Sequence, residues 1–325
     1  MKITGCFLKY CFMLSKMSPP KNATRGIIVL WKIKVNELIV KNIEVGVFLW
    51  YYNRKPHQGE RMRKIVFFDV DGTIVTDASQ GEGKYIPESC KRAIRKAREK
   101  GNLCFVNSGR PYMNVEKYIM DIGFDGVVSG CGTNIHVGDE DIFHVSVEAS
   151  VAQKCYDACK KHGITAFFEG RDRTYYIENG YHVPWLEEFA LQIEAQGSDV
   201  RREIDGEFTF DKFCAFGEGI ASAAEFREAM EEHFSIIVRD DTFLELVPKG
   251  YSKGEAIKRL CRYYNLPIEQ SYAIGDSLND LDMFYATPNS IAMGNGKAIH
   301  EYASFVTRDI TDDGIEFALK HFNII

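Results

Sequence analysis

The chain has 325 residues, 45% hydrophobic and 26% charged, with 27 Gly and 9 Pro, a globular composition that excludes collagenous, disordered and disulfide-scaffold classes. Its length suits two domains with their own cores, and a net charge of −6 excludes a chain-wide nucleic-acid surface. The charge is uneven: eleven Lys or Arg against Glu37, Glu44 and Glu60 give residues 1–61 net +8, which leaves −14 on residues 62–325.

Within residues 1–61, Lys9 and Lys16 interrupt the first apolar run and Lys32, Lys34, Glu37, Lys41 and Glu44 the second. Neither run reaches the roughly 20 apolar residues of a spanning helix, and no signal-peptide pattern stands out. Met62-Arg-Lys directly precedes a strand-like run, so Met62 is expected to start the working protein, with residues 1–61 an extension outside it. Nine Cys are scattered without a CxxC pair, which fits reduced thiols in a cytoplasmic protein. Cys155 and Cys159, near His162, share a helix face and lack a fourth metal ligand, so they read as core residues.

From Met62 onward the apolar pattern alternates between strand and helix. Residues 64–69 form a run suited to a buried parallel strand, ending in Asp-Val-Asp-Gly-Thr. Pro87 opens a helix that carries Ala93, Ile94 and Ala97 on one side and closes at Gly101. A strand over 103–106 leads into Asn-Ser-Gly-Arg and a helix from Pro111, and a strand over 126–129 follows. Residues 142–242, with helices near 151–161, 185–195 and 221–233 and strands over 165–169, 174–178, 209–215 and 235–238, predict an inserted α/β cap. Ser252-Lys-Gly-Glu255 is then a capping box before Ile257, Leu260, Cys261 and Tyr264. A strand over 271–275 ends in Asp276, followed by helical 281–285, strand-like 290–293, a short helix near Lys297 and a last helix from Asp312. Residues 62–141 and 243–325 together predict one Rossmann-like parallel sheet with helices on both faces, an α/β core.

Ligands of an open parallel sheet meet the carboxyl ends of its strands at the switch in strand order, and the polar residues of this chain gather at such ends. Asp69 and Asp71 end the first strand, Ser108 and Arg110 the second, and Asp276 a later one. Two apart, Asp69 and Asp71 point to one side in extended geometry, and Gly72 lets the backbone turn away. Clustered carboxylates repel unless a cation neutralises them, and oxygen-only ligands favour Mg²⁺. Lys253 at a helix start and the Ser108-Gly109-Arg110 turn offer cationic, hydroxyl and amide groups to phosphate oxygens. Metal, phosphate pocket and free carboxylate together predict phosphoryl transfer.

Taken singly, Asp71-Gly72 is an ordinary turn and Ser277 with Asp280 an ordinary capping box; their joint order carries the reading. Gly130-Cys-Gly132 lacks the third glycine of a dinucleotide loop, and no GxxxxGK occurs. Cap aromatics such as Phe167, Phe168, Tyr176 and Trp185 read mainly as core, with Glu169, Arg171, Arg173 and His182 as candidate specificity contacts.

Four motifs, Asp69-Val-Asp-Gly-Thr73, Ser108-Gly-Arg110, Lys253-Gly254 and Gly275-Asp-Ser-Leu-Asn-Asp280, stand in an order that resembles the haloacid dehalogenase superfamily, specifically the Cof-like phosphatases with a type IIB cap. Ala292-Met-Gly-Asn295 and Thr311-Asp-Asp-Gly314 are similar to that subfamily as well, and the likeness runs from Met62 to the C-terminus. The resemblance implies Asp69 as nucleophile, forming an aspartyl-phosphate, and Asp71 as acid and then base. It implies Mg²⁺ on the Asp69 and Asp276 side chains and the Asp71 backbone carbonyl. Ser108, Gly109, Lys253 and Asn279 would then serve the phosphate, with Thr73, Arg110 and Asp280 in support. The implied activity is hydrolysis of small phosphorylated metabolites, sugar phosphates or phosphorylated cofactors, with no nucleic-acid partner and no membrane span. A phosphomutase of the phosphomannomutase type and a non-catalytic phospho-ligand sensor are the alternatives. Ser129-Gly-Cys131 stands where many relatives have Asn-Gly-Ala, which leaves the substrate open, and the sequence sets no oligomeric state.

Overall fold

The computed structural model describes residues 62–76 and 83–325, so the expectation for residues 1–61 lies outside the described residues. In chain order, β1 (Ile65–Phe68), α1 (Glu88–Glu99), β2 (Leu103–Asn107), α2 (Lys117–Met120), β3 (Gly126–Ser129), β4 (Asn134–Val137) and β5 (Glu140–His144) come first. They are followed by α3 (Ala149–Lys161), β6 (Thr165–Glu169), β7 (Thr174–Ile177), α4 (Pro184–Ala195), β8 (Val200–Arg201), β9 (Lys212–Phe216), α5 (Ala224–Glu231), β10 (Phe234–Val238) and β11 (Phe243–Pro248). The last elements are α6 (Lys253–Tyr263), β12 (Ser271–Gly275), α7 (Leu281–Ala286), β13 (Asn289–Ala292), β14 (Phe305–Val306) and α8 (Gly314–His321).

The first sheet has the order β14-β13-β12-β1-β2-β3-β4-β5, parallel from β14 to β3 and antiparallel beyond. β1 is buried on both faces: Ile65 and Phe67 pack with Ile257 and Leu260 of α6, Val66 and Phe68 with Ala93, Ile94 and Ala97 of α1. That two-sided burial is why its sequence is apolar without alternation. The chain passes from β1 to β2 and β3 on one side and later returns as β12 on the other. The switch in strand order therefore lies at β1, where the carboxyl ends of β1, β2 and β12 open a crevice.

The second sheet has the order β10-β11-β9-β6-β7-β8, antiparallel except for the β7–β8 pair. Cys155, Cys159, Phe226 and Met230 from α3 and α5 pack against Phe168 and Phe213 on one face, so the two thiols are core groups. On the other face Leu186 and Ala190 of α4 cover Phe167 and Tyr176. The part of that face beyond α4 carries the buried Glu169, Lys212 and Glu245, which alternate along β6, β9 and β11 with Phe168, Phe213 and Leu246 of the opposite face.

Two expectations shift. The limits 142 and 242 do not coincide with the sheets: β5 crosses the first and pairs with β4 in the first sheet, and β11 lies beyond the second yet pairs with β9 and β10. β5, Glu-Asp-Ile-Phe-His, is mostly polar and β11, Phe-Leu-Glu-Leu-Val-Pro, mostly apolar, and neither pattern names its pairing partner, which is a tertiary choice. The helix expected from Pro111 is a 3₁₀ turn, Tyr112–Asn114, and the one-turn α2, because Val115 between them is extended. No helix among the described residues is long and apolar enough to cross a membrane.

Candidate active site

β1 hands its last residue directly to the crevice, where the Asp69 N–H still donates to the Ile274 carbonyl of β12 at 2.9 Å. Beyond Phe68 the chain turns: Gly72 takes φ +80° and its N–H donates to Val75 O at 2.8 Å. A Cβ on Gly72 would stand 2.2 Å from Asp276 Oδ2, so glycine is what lets the two loops approach. Thr73 Oγ1 donates to Asp276 Oδ1 at 3.2 Å. Asp280 is oriented by a capping box, its Oδ2 accepting from the N–H groups of Asp276 (3.1 Å) and Ser277 (3.3 Å).

Lys253 enters from the first turn of α6, whose Ser252 Oγ accepts from Glu255 N at 3.1 Å. Its Nζ donates to Asp69 Oδ1 at 2.6 Å and to Asp280 Oδ1 at 2.7 Å, and the side chain is buried. Burial disfavours the ammonium, but Asp280 and Asp69 outweigh it and hold Lys253 protonated well above the ordinary lysine range. Burial, then repulsion from Asp280, pushes the Asp69 carboxyl up to about 7 against the pull of Lys253. Burial, Asp69 and Asp280 push Asp276 up to about 8. One ammonium does not balance three acids at this spacing.

Oxygen atoms of Asp69, Asp276 and Asp280 lie within 4.8 Å of one another. An all-carboxylate donor set with excess negative charge fits a hard divalent cation such as Mg²⁺. The Asp71 carboxylate is not part of this set; the resemblance implies a role toward Mg²⁺ for the Asp71 backbone carbonyl, not for this side chain. The strand ends at Phe68, so the same-side rule for residues two apart lapses, and the Asp71 carboxylate faces Arg110 (Nη2 to Oδ1 2.7 Å, Nε to Oδ2 3.1 Å) and Lys84 (3.1 Å). Asp280, expected in support, supplies the third carboxylate of the set. Burial works to raise the Asp71 carboxyl, yet Arg110 and Lys84 prevail and hold it below the usual range.

Ser108 follows β2, its N–H donating to Val128 O at 2.9 Å and its Oγ accepting from Arg110 N at 3.2 Å. Arg110 also bonds Glu116. Over this turn hangs Glu245 from the second sheet, whose Oε1 would lie 3.0 Å from a Cβ at Gly109 and accepts from Cys131 Sγ at 3.2 Å. Lys212 Nζ lies 2.8 Å from Glu245 Oε1 and 2.5 Å from Glu169 Oε2, and Arg239 Nε donates to Glu245 Oε2 at 3.0 Å. A cleft of about 600 Å³ opens beside this network, between Ile237, Val238 and Arg239 on one wall and Asp276, Asn279 and Lys297 on the other.

The haloacid dehalogenase-like hydrolase family model matches residues 66–319. The chain belongs to that family. Among relatives of this hydrolase, YkrA of Bacillus subtilis (strain 168) is 26% identical over 265 residues, covering 81% of this chain and 98% of its own. The 5-amino-6-(5-phospho-D-ribitylamino)uracil phosphatase YitU of the same organism is 23% identical over 270 residues, covering 79% and 97%. The structure of the HAD subclass IIB sugar phosphatase BT4131 superposes with a TM-score of 0.68 at 23% identity, covering 81% of this chain and all, 100%, of that one, and so shares the fold.

In this hydrolase the expected residues Asp69, Thr73, Lys253, Asp276 and Asp280 converge through direct bonds, and Ser108, Gly109 and Arg110 form the adjoining turn. Asn279 instead lines the cleft and accepts a hydrogen bond from Ser277. Of the candidate specificity contacts only Glu169 faces this region; Arg171 pairs with Asp141, Arg173 with Asp199 and His182 with Glu178. Lys212, Arg239 and Glu245 were not legible as site residues. The one available signal was charge inside apolar strands, at Lys212 in Lys-Phe-Cys-Ala-Phe and at Glu245 in Phe-Leu-Glu-Leu-Val.

Proposed function

We propose that this hydrolase is a Mg²⁺-dependent phosphomonoesterase acting on small phosphorylated metabolites, with residues 147–248 as the cap over its site. The observation that carries this is the buried Lys253 ammonium shared between Asp69 and Asp280, 2.6 and 2.7 Å away, beside Asp276. Asp69, Asp276 and Asp280 would hold Mg²⁺, which when bound offsets phosphoryl charge and keeps the carboxylates ionised.

An Asp69 Oδ attacks phosphorus in line, forming an Asp69–phosphoryl bond while the bond to the leaving oxygen breaks. Lys253 Nζ, the Ser108 hydroxyl and the amides of its turn receive the phosphoryl oxygens, the electrostatic part of the catalysis. Asp71 supplies the proton to the leaving oxygen and takes one from the water that then cleaves the aspartyl-phosphate. In the present arrangement Asp71 is ionised against Arg110, so its acid role requires it to turn from that guanidinium toward the substrate. The relatives support the substrate class: YitU acts on a phosphorylated ribitylaminouracil and BT4131 on sugar phosphates.

The test is phosphate release from a panel of phosphorylated metabolites in Mg²⁺ buffer, comparing wild type with Asp69→Asn. Loss of at least about a thousandfold in kcat, with the circular dichroism spectrum retained, is expected. Wild-type turnover by Asp69→Asn refutes the nucleophile, and isomerised product without free phosphate would mean a phosphomutase.

A further inference from the structure

The 600 Å³ cleft holds two cations on facing walls, Arg239 and Lys297, and one acid, Asp276, which the metal reading already employs. Arg239 is not a loose surface arginine. Its backbone N–H donates to Phe243 O at 3.0 Å, and its side chain, 27% exposed, places Nε and Nη2 on Glu245 Oε2. Glu245 is itself immobilised, because its other oxygen accepts from Lys212 Nζ at 2.8 Å and Cys131 Sγ at 3.2 Å. One edge of the guanidinium is thereby pinned, while Nη1 makes no hydrogen bond among the described residues. Lys297 is exposed and makes no ion pair among them. A guanidinium held by its back edge, with a free edge in a cleft, is pre-organised for an oxyanion rather than for a neutral hydroxyl.

We propose that Arg239, fixed by Glu245 and assisted by Lys297, is a specificity residue that binds a second negatively charged group, a carboxylate or a second phosphate, on the leaving part of the substrate. The inference rests on the phosphatase reading for the placing of the first phosphate at Asp69, and it narrows the substrates to doubly anionic ones. Leu278, 53% exposed, and Val238, 48% exposed, also line the cleft and offer apolar surface to a carbon skeleton.

The experiment is isothermal titration calorimetry on the full chain carrying Asp69→Asn, in Mg²⁺ buffer, with two matched ligand pairs. Fructose 1,6-bisphosphate against fructose 6-phosphate probes a second phosphate, and 3-phosphoglycerate against glycerol 3-phosphate probes a carboxylate. In at least one pair the doubly charged member is expected to bind roughly ten- to hundred-fold tighter, the range of one charge-assisted bidentate contact. Adding Arg239→Met collapses that ratio to near unity, and Arg239→Lys keeps part of it. The proposal is overturned if both pairs differ by less than about twofold, if neither doubly charged ligand binds, or if Arg239→Met keeps the preference. An Arg239-dependent preference alongside a wild type that releases no phosphate would refute the phosphatase reading and leave this one standing; phosphate release without the preference does the reverse.

Discussion

Replacing Lys212 by Met tests whether the charges between the sheets act as one buried unit. Lys212 is 2% exposed, and its ammonium lies 2.5 Å from Glu169 and 2.8 Å from Glu245. Without it Glu245 keeps Arg239, but Glu169, 7% exposed, keeps among the described residues only the Cys214 thiol at 3.9 Å. One uncompensated buried carboxylate costs about 3–5 kcal/mol, a fall of roughly 6–20 °C in Tm for a chain of this size.

The loss should depend on pH. Burial already raises the Glu169 carboxyl against the opposing pull of Lys212, and removing Lys212 raises it further. A carboxyl raised in the folded state contributes its full stability below its unfolded pKa and loses it as pH climbs through the folded value. Glu245, held well below the usual range by Lys212 and Arg239 despite burial, contributes stability above its unfolded pKa that is lost as pH falls. Both effects make the deficit of Lys212→Met largest near neutral pH and smaller in acid. Urea unfolding followed by circular dichroism at several pH values measures it, and a second change, Glu169→Gln, should recover about 1–3 kcal/mol. A variant within about 1 kcal/mol of wild type at pH 7, or a deficit that grows toward acid, refutes the reasoning.

Three further outcomes follow from the site. Asp71→Asn should slow hydrolysis of alkyl phosphates about 10²–10⁴-fold but p-nitrophenyl phosphate far less, because nitrophenolate leaves without a proton; equal losses on both would remove Asp71 as the acid. Mg²⁺ at about 100 times its Kd should stabilise the wild type by about 2.7 kcal/mol in thermal unfolding, and Asp276→Asn should lose that shift; a shift unchanged in the variant would remove Asp276 as a ligand. Gly72→Ala should cut turnover at least about tenfold, since its methyl would lie 2.2 Å from Asp276 Oδ2 at a φ of +80° that costs a non-glycine residue about 1–2 kcal/mol; wild-type turnover would show that the loops have room to part.

Local chemistry made much of this protein legible. The apolar run before Asp69, the capping box at Ser252 and the polar residues at strand ends mark a parallel sheet and its crevice, because each signal is written within a few adjacent residues. What the sequence determined by itself was therefore the parallel sheet, the family, and the placing of Asp69, Ser108 and Asp276 at strand ends and of Lys253 at a helix start. Only the tertiary structure decided that Asp280 joins the carboxylates while Asp71 turns to Arg110, that Phe243–Pro248 pairs in the second sheet, and that Glu245 reaches across to Cys131 and pins Arg239. The reason is physical: strand pairing and the matching of buried charges join residues far apart in the chain, as with Asp69 and Lys253, whose separation is 184, and no local propensity encodes which partner a buried charge will find.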